Sequence, residues 1–208
     1  MTELTNRLIP TVNSNPCHAE IALATSSTLV NLQLCQLHDL DKFRVKSIDV
    51  FHSLLKVEDG ENALSLRLNG VWGLSSAAAV SGTTRILNRA ETIERLDASY
   101  TIPKAVALCD EVLSRTPSDC EMRSATRQDE INVIFETSGC VLNSKPDQAH
   151  VEEYFVQKCL LLLRNMLALK EVKVPEYSES VYALLGKVFA SNQSVNAKYE
   201  PMCLFLPF

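Results

Sequence analysis

The chain has 208 residues, 46% of them hydrophobic, which is enough apolar material for one compact domain or one stack of repeats and excludes a disordered tail. The formal net charge is −5, and the Lys and Arg residues are scattered, which argues against a surface that neutralises a phosphate backbone. Seven widely spread cysteines are an odd number for a disulfide framework, and the longest apolar runs are far shorter than a membrane span.

The hydrophobic pattern predicts an all-α fold, because six glycines and eight prolines are too few for a turn-rich β-sandwich of this length. We expect residues 1–18 to form a flexible N-terminal segment and residues 19–208 to form one helical repeat domain. In chain order, the predicted helices are Ala19–Leu40, Phe43–Val57, Ala63 to about Val80, Thr84–Leu96, Pro103–Ser114, Ile131–Asn143, Gln148–Leu169, Tyr177–Ala190 and Val195–Leu206.

Proline and polar residues set several of these boundaries. Pro103 is expected to open its helix, because proline is well tolerated in the first turn. Arg115–Asp129 reads as a loop or insertion, and Ile131–Asn143 is assigned to a helix on the strength of its helical surroundings. Pro201 interrupts the final helix, so the last repeat is expected to be incomplete.

Three nearly uncharged helices share a pattern in which a small polar residue lies among Leu and Ala. Their sequences are STLVNLQL, VWGLSSAA and LLLLRNML, which align on Asn31, Ser76 and Asn165. The intervals are about 45 and about 89 residues, near one and two multiples of the ~40–47 residues of an armadillo or HEAT repeat. This spacing indicates a helical repeat protein.

The stretch LRLNGVWGLSSAA resembles the third helix of an armadillo repeat, with Trp72 at the usual Trp position and Ser76 at the usual Asn position. This stretch and LLLLRNML are more narrowly similar to successive inner helices in the armadillo-repeat subunits of GID/CTLH ubiquitin ligases. The similarity runs from roughly Ala24 to the C-terminus.

The resemblance implies an armadillo/HEAT-like, right-handed α-solenoid of about four repeats. It also implies a non-catalytic scaffold that links a substrate receptor to the catalytic core of a ubiquitin ligase in protein degradation. The two matching helices are nearly two repeats apart, so residues 97–150 are expected to be either a divergent repeat or an irregular insertion.

In such a solenoid the third helices line a concave groove, which makes it the expected protein-binding site. Trp72 either packs between repeats or presents its ring to a partner. Asn31 and Asn165 either clamp a partner's backbone amide or bond between helices, and Arg67 and Arg164 either meet an acidic partner or extend to the groove edge. The candidate groove residues are Asn31, Arg67, Trp72, Ser76, Arg164 and Asn165.

Catalytic and metal-binding patterns are weak. Cys17, His18 and Glu20 include the His-x-Glu of zinc deaminases, but the downstream Pro-Cys-x-x-Cys and every other two-residue Cys spacing are missing. The histidines are isolated, and no phosphate-binding loop or nucleophile elbow is present. We expect no enzyme activity, metal or cofactor; a small metal protein using these three residues is an alternative that metal analysis would test.

Two further expectations concern location and partners. The first residues lack the basic and apolar stretches of a secretory signal, so we expect a soluble protein of the cytoplasm and nucleus with reduced thiols. Its partners are expected to be protein subunits, not nucleic acid or membrane. Charged residues at helical spacing are expected to form solvated ion pairs on a polar helix face, and one such set is Glu152, Glu153 and Lys158. An armadillo-type adaptor or cargo-binding protein outside the ubiquitin system is the alternative function.

Overall fold

The computed structural model describes residues 16–34, 41–58, 60, 62–81, 88–114 and 148–191, and these residues form an all-α fold, as predicted. The described helices are α1 (Pro16–Leu34), α2 (Asp41–Leu54), α3 (Ala63–Ser81), α4 (Arg89–Leu96), α5 (Ala98–Ser114), α6 (Gln148–Leu167) and α7 (Ser178–Ala190), with a 3₁₀ turn at Val174–Glu176. The predicted loop at 115–129, the predicted helices at 131–143 and 195–206, and residues 1–15 lie outside the described residues.

Helix α5 begins at Ala98, so the prediction that Pro103 opens this helix is wrong. The chain turns at Asp97, which has a φ of 40°, and the Asp97 carbonyl accepts the first helical bond, from the Thr101 N–H at 2.8 Å. Pro103 cannot donate to the Ser99 carbonyl one turn earlier. Both residues are exposed, so water can reach that carbonyl and the helix tolerates the proline.

Helix α3 is the centre of the fold, because it packs against α1, α2, α4 and α6. Arg67 is its only charged residue, and apolar or small residues cover nearly its whole circumference. Gly70 and Gly73 let α2 approach closely: a Cβ on Gly70 would lie 2.8 Å from the Phe51 carbonyl oxygen, and one on Gly73 would overlap the Phe51 ring. The absence of a polar stripe on α3 therefore reflects burial on several sides.

Helix α6 packs directly against α3, although Ser76 and Asn165 are about two repeat lengths apart in sequence. The Trp72 ring lies beside the Tyr154 ring, and the Asn165 amide bonds to Ser75, so side chains of the two helices meet at two places. Helix α5 packs against α6 and α7. Helices α1, α3 and α6 thus form one row, in chain order, with α3 contacting both of the others.

Candidate protein-binding face

The row of α1, α3 and α6 carries a set of exposed or half-buried side chains that we call the inner face. Asn31 is exposed on α1, and the side chains from α3 and α6 are half-buried. We define the inner face by Asn31, Leu68, Trp72, Tyr154, Lys158 and Leu161.

An aromatic and cationic cluster lies at the middle of this face. The Trp72 and Tyr154 rings meet edge to face, with centroids 5.8 Å apart and an interplanar angle of 86°. The Lys158 ammonium nitrogen lies 4.5 Å from the Trp72 ring centroid and 4.9 Å from that of Tyr154. Tyr154 and Lys158 are one turn apart on α6, so a single helix face presents both to Trp72. The contact with two rings restrains the position of the cation.

Lys158 supplies the positive charge of the cluster, and the two rings are neutral. Burial raises the pKa of the Tyr154 hydroxyl well above its ordinary value, so the phenol stays neutral over the physiological range. Two uncharged rings therefore lie within cation–π distance of the Lys158 ammonium group.

Two asparagine side chains bridge neighbouring helices of the row. The Asn69 amide nitrogen donates to Ser26 Oγ at 2.8 Å and to Ser27 Oγ at 3.1 Å, which joins α3 to α1. The Asn165 amide nitrogen donates to Ser75 Oγ at 3.0 Å and to the Ser75 carbonyl at 3.1 Å, which joins α6 to α3. Of the two alternatives for Asn165, a clamp on a partner's backbone or a bond between helices, the structure shows the bond between helices.

Arg67 and Ser76 are buried and bond within the chain. Arg67 donates to the carbonyls of Val57 and Glu58 and forms an ion pair of 3.2 Å with Glu111 on α5. Ser76 Oγ donates to the Trp72 carbonyl at 2.9 Å. Both side chains are too deeply buried to contact a partner protein, so neither belongs to the inner face.

Arg164 is half-buried on α6, beside Asn165 in sequence. It lies three residues after Leu161, so the two side chains are neighbours on the surface of α6. It therefore remains a candidate contact at the margin of the inner face.

Sequence reasoning missed Asn69, Tyr154 and Lys158. The spacing of Tyr154 and Lys158 indicates that they are neighbours, since residues four apart share a helix face. The assignment of Lys158 to a solvated ion pair did not anticipate its position over the rings. Trp72 is far away in sequence, and only the packing of α3 on α6 brings it to this pair.

Membrane-spanning helices and clusters of metal ligands are two features that the described part of the chain lacks. None of its helices combines the length and the hydrophobicity that a bilayer crossing requires. The same residues contain no group of three or more potential metal ligands. The side chains of Cys17, His18 and Glu20 lie outside those that the structure describes.

No protein-family model matches the chain, and no curated protein or solved structure is significantly similar to it. The likeness to armadillo proteins therefore depends on the residues quoted above.

Proposed function

We propose that this protein is a non-catalytic scaffold whose inner face binds other proteins. Its architecture in this proposal is an armadillo/HEAT-like, right-handed α-solenoid of about four repeats. Its role is that of a GID/CTLH-type ubiquitin ligase subunit, which links a substrate receptor to the catalytic core in the cytoplasm and nucleus.

The observation that carries the proposal is the row of α1, α3 and α6. These helices lie side by side in chain order, and carboxamides at Asn69 and Asn165 bond each to the one before it. Stacked units that contact only their neighbours are the defining property of a solenoid. The direct packing of α3 on α6 supports the irregular insertion rather than an additional divergent repeat as the explanation of their separation in sequence.

The composition of the inner face supports protein binding. Trp and Tyr are enriched at protein interfaces because they offer large apolar area together with a polar tip. Here Trp72, Tyr154 and two leucines lie half-buried on one face, and Asn31 adds an exposed carboxamide able to bond a peptide backbone.

The alternative function, an adaptor or cargo receptor, has less support if its cargo is a basic peptide. Ser76 stands at the usual Asn position, and it is buried and bonded to the Trp72 carbonyl, so it offers no carboxamide to the backbone of such a peptide. An adaptor for neutral or acidic cargo remains compatible with the same surface.

The test is co-purification of the tagged full chain from cells that express it natively, followed by identification of the retained proteins. The variants are Asn31→Arg and Trp72→Ala, which change the inner face on α1 and on α3. Tyr182→Ser is the matched control, because Tyr182 is 59% exposed on α7, which does not line this face.

We expect the wild type and Tyr182→Ser to retain RING-type ligase subunits and both inner-face variants to lose them. Retention of ligase subunits by all four proteins would refute the binding role of the inner face. Retention of other partners, lost in the inner-face variants, would leave a scaffold outside the ubiquitin system.

A further inference from the structure

We propose that two copies of this chain form a homodimer in which their α7 helices pack antiparallel, related by a two-fold axis beside Gly186. The contact surface is the side of α7 that we call the outer face. We define it by Tyr182, Ala183, Gly186, Phe189 and Ala190, all of which are exposed. The dimer uses none of the inner-face residues, so it does not depend on the proposed function.

Helix α7 is apolar on two opposite sides. One side is buried and packs on α5. On the other side Tyr182 is 59% and Phe189 43% exposed, and Tyr182 keeps this exposure although it makes a further interaction within the chain. A helix with apolar residues around most of its circumference is typical of one that has neighbours on both sides.

The outer face has a pattern that matches itself when it is reversed. Tyr182 and Phe189 are seven residues apart and share one flank, and Ala183 and Ala190 are seven apart on the other flank. Gly186 lies midway between the members of both pairs. In an antiparallel pair centred on Gly186, each Tyr182 therefore meets Phe189 of the second copy, and each Ala183 meets Ala190. Such self-complementarity is what a two-fold contact requires.

The small residues of the outer face allow two helices to approach closely. A Cβ on Gly186 would meet nothing within 4 Å, so the space above this residue is open in the protomer. Helices that meet at Gly and Ala can pack at the short end of the ~8–10 Å range of interaxial distances. The aromatic rings on the flank then reach one another, and edge-to-face ring pairs stabilise such a contact.

The charges of α7 favour the antiparallel direction. Glu179 lies in the first turn and Lys187 in the last, so a parallel pair would place like charges side by side. An antiparallel pair brings each acidic first turn toward a basic last turn. Lys187 keeps its 2.5 Å ion pair with Asp110 of α5 in this arrangement, because the outer face itself is uncharged.

The area of the outer face indicates a weak dimer. Helix α7 is about 20 Å long and an aromatic side chain covers roughly 150–250 Å², so each copy would bury about 400 Å². A total of about 800 Å² is smaller than a stable interface needs, which indicates concentration-dependent association. We expect a dissociation constant of about 10–100 µM, so dilute protein is monomeric.

The experiment is sedimentation velocity of the full chain between about 1 and about 500 µM, a range that brackets the expected dissociation constant. The wild type should pass from monomer to dimer, and Phe189→Ser should raise the dissociation constant about ten-fold or more. Val174→Ser is the matched control, because Val174 is also 43% exposed but precedes α7. It should dimerise as the wild type does, and circular dichroism verifies the fold of each variant.

Gly186→Leu separates close packing from general apolar adhesion. Leucine is a better helix former than glycine and the site is open, so the protomer should stay folded. The larger side chain should hold the two helices apart and abolish the dimer, although it adds apolar surface. Stronger association of this variant than of the wild type would overturn the proposal.

A mixing experiment tests the antiparallel pairing. Phe189→Lys and Tyr182→Glu should each be monomeric alone, since each puts a charge against an aromatic ring. Their equimolar mixture should dimerise, because one side of the axis pairs the new lysine with the new glutamate and the other keeps Tyr182 beside Phe189. A mixture that stays monomeric would overturn this pairing. A wild type that is monomeric at every concentration, or equal weakening by Val174→Ser and Phe189→Ser, would overturn the dimer itself.

Discussion

The side-chain amide of Asn69 on α3 donates to the hydroxyl of Ser26 on α1 at 2.8 Å, and both residues are buried. The next pair of the row repeats the relationship, with Asn165 of α6 bonded to Ser75 of α3. A carboxamide that bonds to a serine of the preceding helix thus fixes the lateral contact at both junctions. Buried bonds of this kind favour one register, because any shift would leave a polar group unpaired.

Replacement of Asn69 by Ala should therefore lower the free energy of unfolding by about 1–3 kcal/mol, since the Ser26 hydroxyl loses its donor in a buried site. Asn31→Ala is the control, because Asn31 is exposed on the same row and should change stability by no more than about 0.5 kcal/mol. Urea denaturation followed by circular dichroism measures both. Equal effects of the two variants would contradict the bridging role of Asn69.

Gly73 should resist replacement by Ala. Alanine is the better helix former by about 0.5–1 kcal/mol, but its Cβ would overlap the buried ring of Phe51. We expect a net loss of about 1–3 kcal/mol, as for other overpacked cores. The matched variant Gly186→Ala lies on α7, where nothing is within 4 Å of the new methyl group, and should gain about 0.5–1 kcal/mol. The same sign for both variants in thermal or urea unfolding would refute this explanation.

His52 should make stability depend on pH. Burial lowers the pKa of its imidazole below 6.5, although the Arg95 carbonyl, which accepts from Nε2 at 3.0 Å, and the charges of Asp97 and Asp49 raise it and Lys56 lowers it. Its Nδ1 atom is buried and meets no hydrogen-bond partner in the described part of the chain. The unfolded chain binds the proton more readily, so this contribution is complete above pH 6.5 and is lost as the pH falls through the folded pKa.

The measurement is the urea midpoint between about pH 7.5 and about pH 5.5, a window that spans the ordinary histidine pKa. Wild type should lose stability on acidification, and His52→Gln should lose less because it cannot take up a proton. His150→Gln supplies a comparison at another histidine of the chain. An identical pH slope in wild type and His52→Gln would remove His52 as the cause.

Cys109 on α5 and Cys159 on α6 should be inert thiols in the folded protein. Both are fully buried, and burial together with the neighbouring Cys109 raises the pKa of Cys159 well above its ordinary value. The thiolate is the reactive form, so alkylation by iodoacetamide near pH 8 should be slower than in guanidinium by about two orders of magnitude or more. Peptide mass spectrometry reads each site separately. Rapid alkylation of Cys159 in the native protein would be evidence against the packing of α5 on α6.

Local sequence determined the fold class and several helix limits of the described residues. The starts of α3 at Ala63 and α6 at Gln148, and the ends of α5 at Ser114 and α7 at Ala190, follow from hydrophobic period and from flanking Gly, Pro and Asp. These signals act within one or two turns, so they are readable without knowledge of the fold. Pro103 is one exception, because its tolerance depends on whether water reaches the Ser99 carbonyl; the end of α2 at Leu54, three residues before the predicted Val57, is another.

The inner face was decided by tertiary structure. The sequence singled out Trp72 and Asn165, but the partners of Trp72 come from a helix that begins 76 residues later, and only packing brings Tyr154 and Lys158 to its ring. The same packing buries Arg67, which from sequence could equally have reached solvent. The hydrophobic period of a sequence indicates which side of a helix is apolar. Which other helix packs against that side depends on shape complementarity and on hydrogen bonds between residues that are distant in sequence.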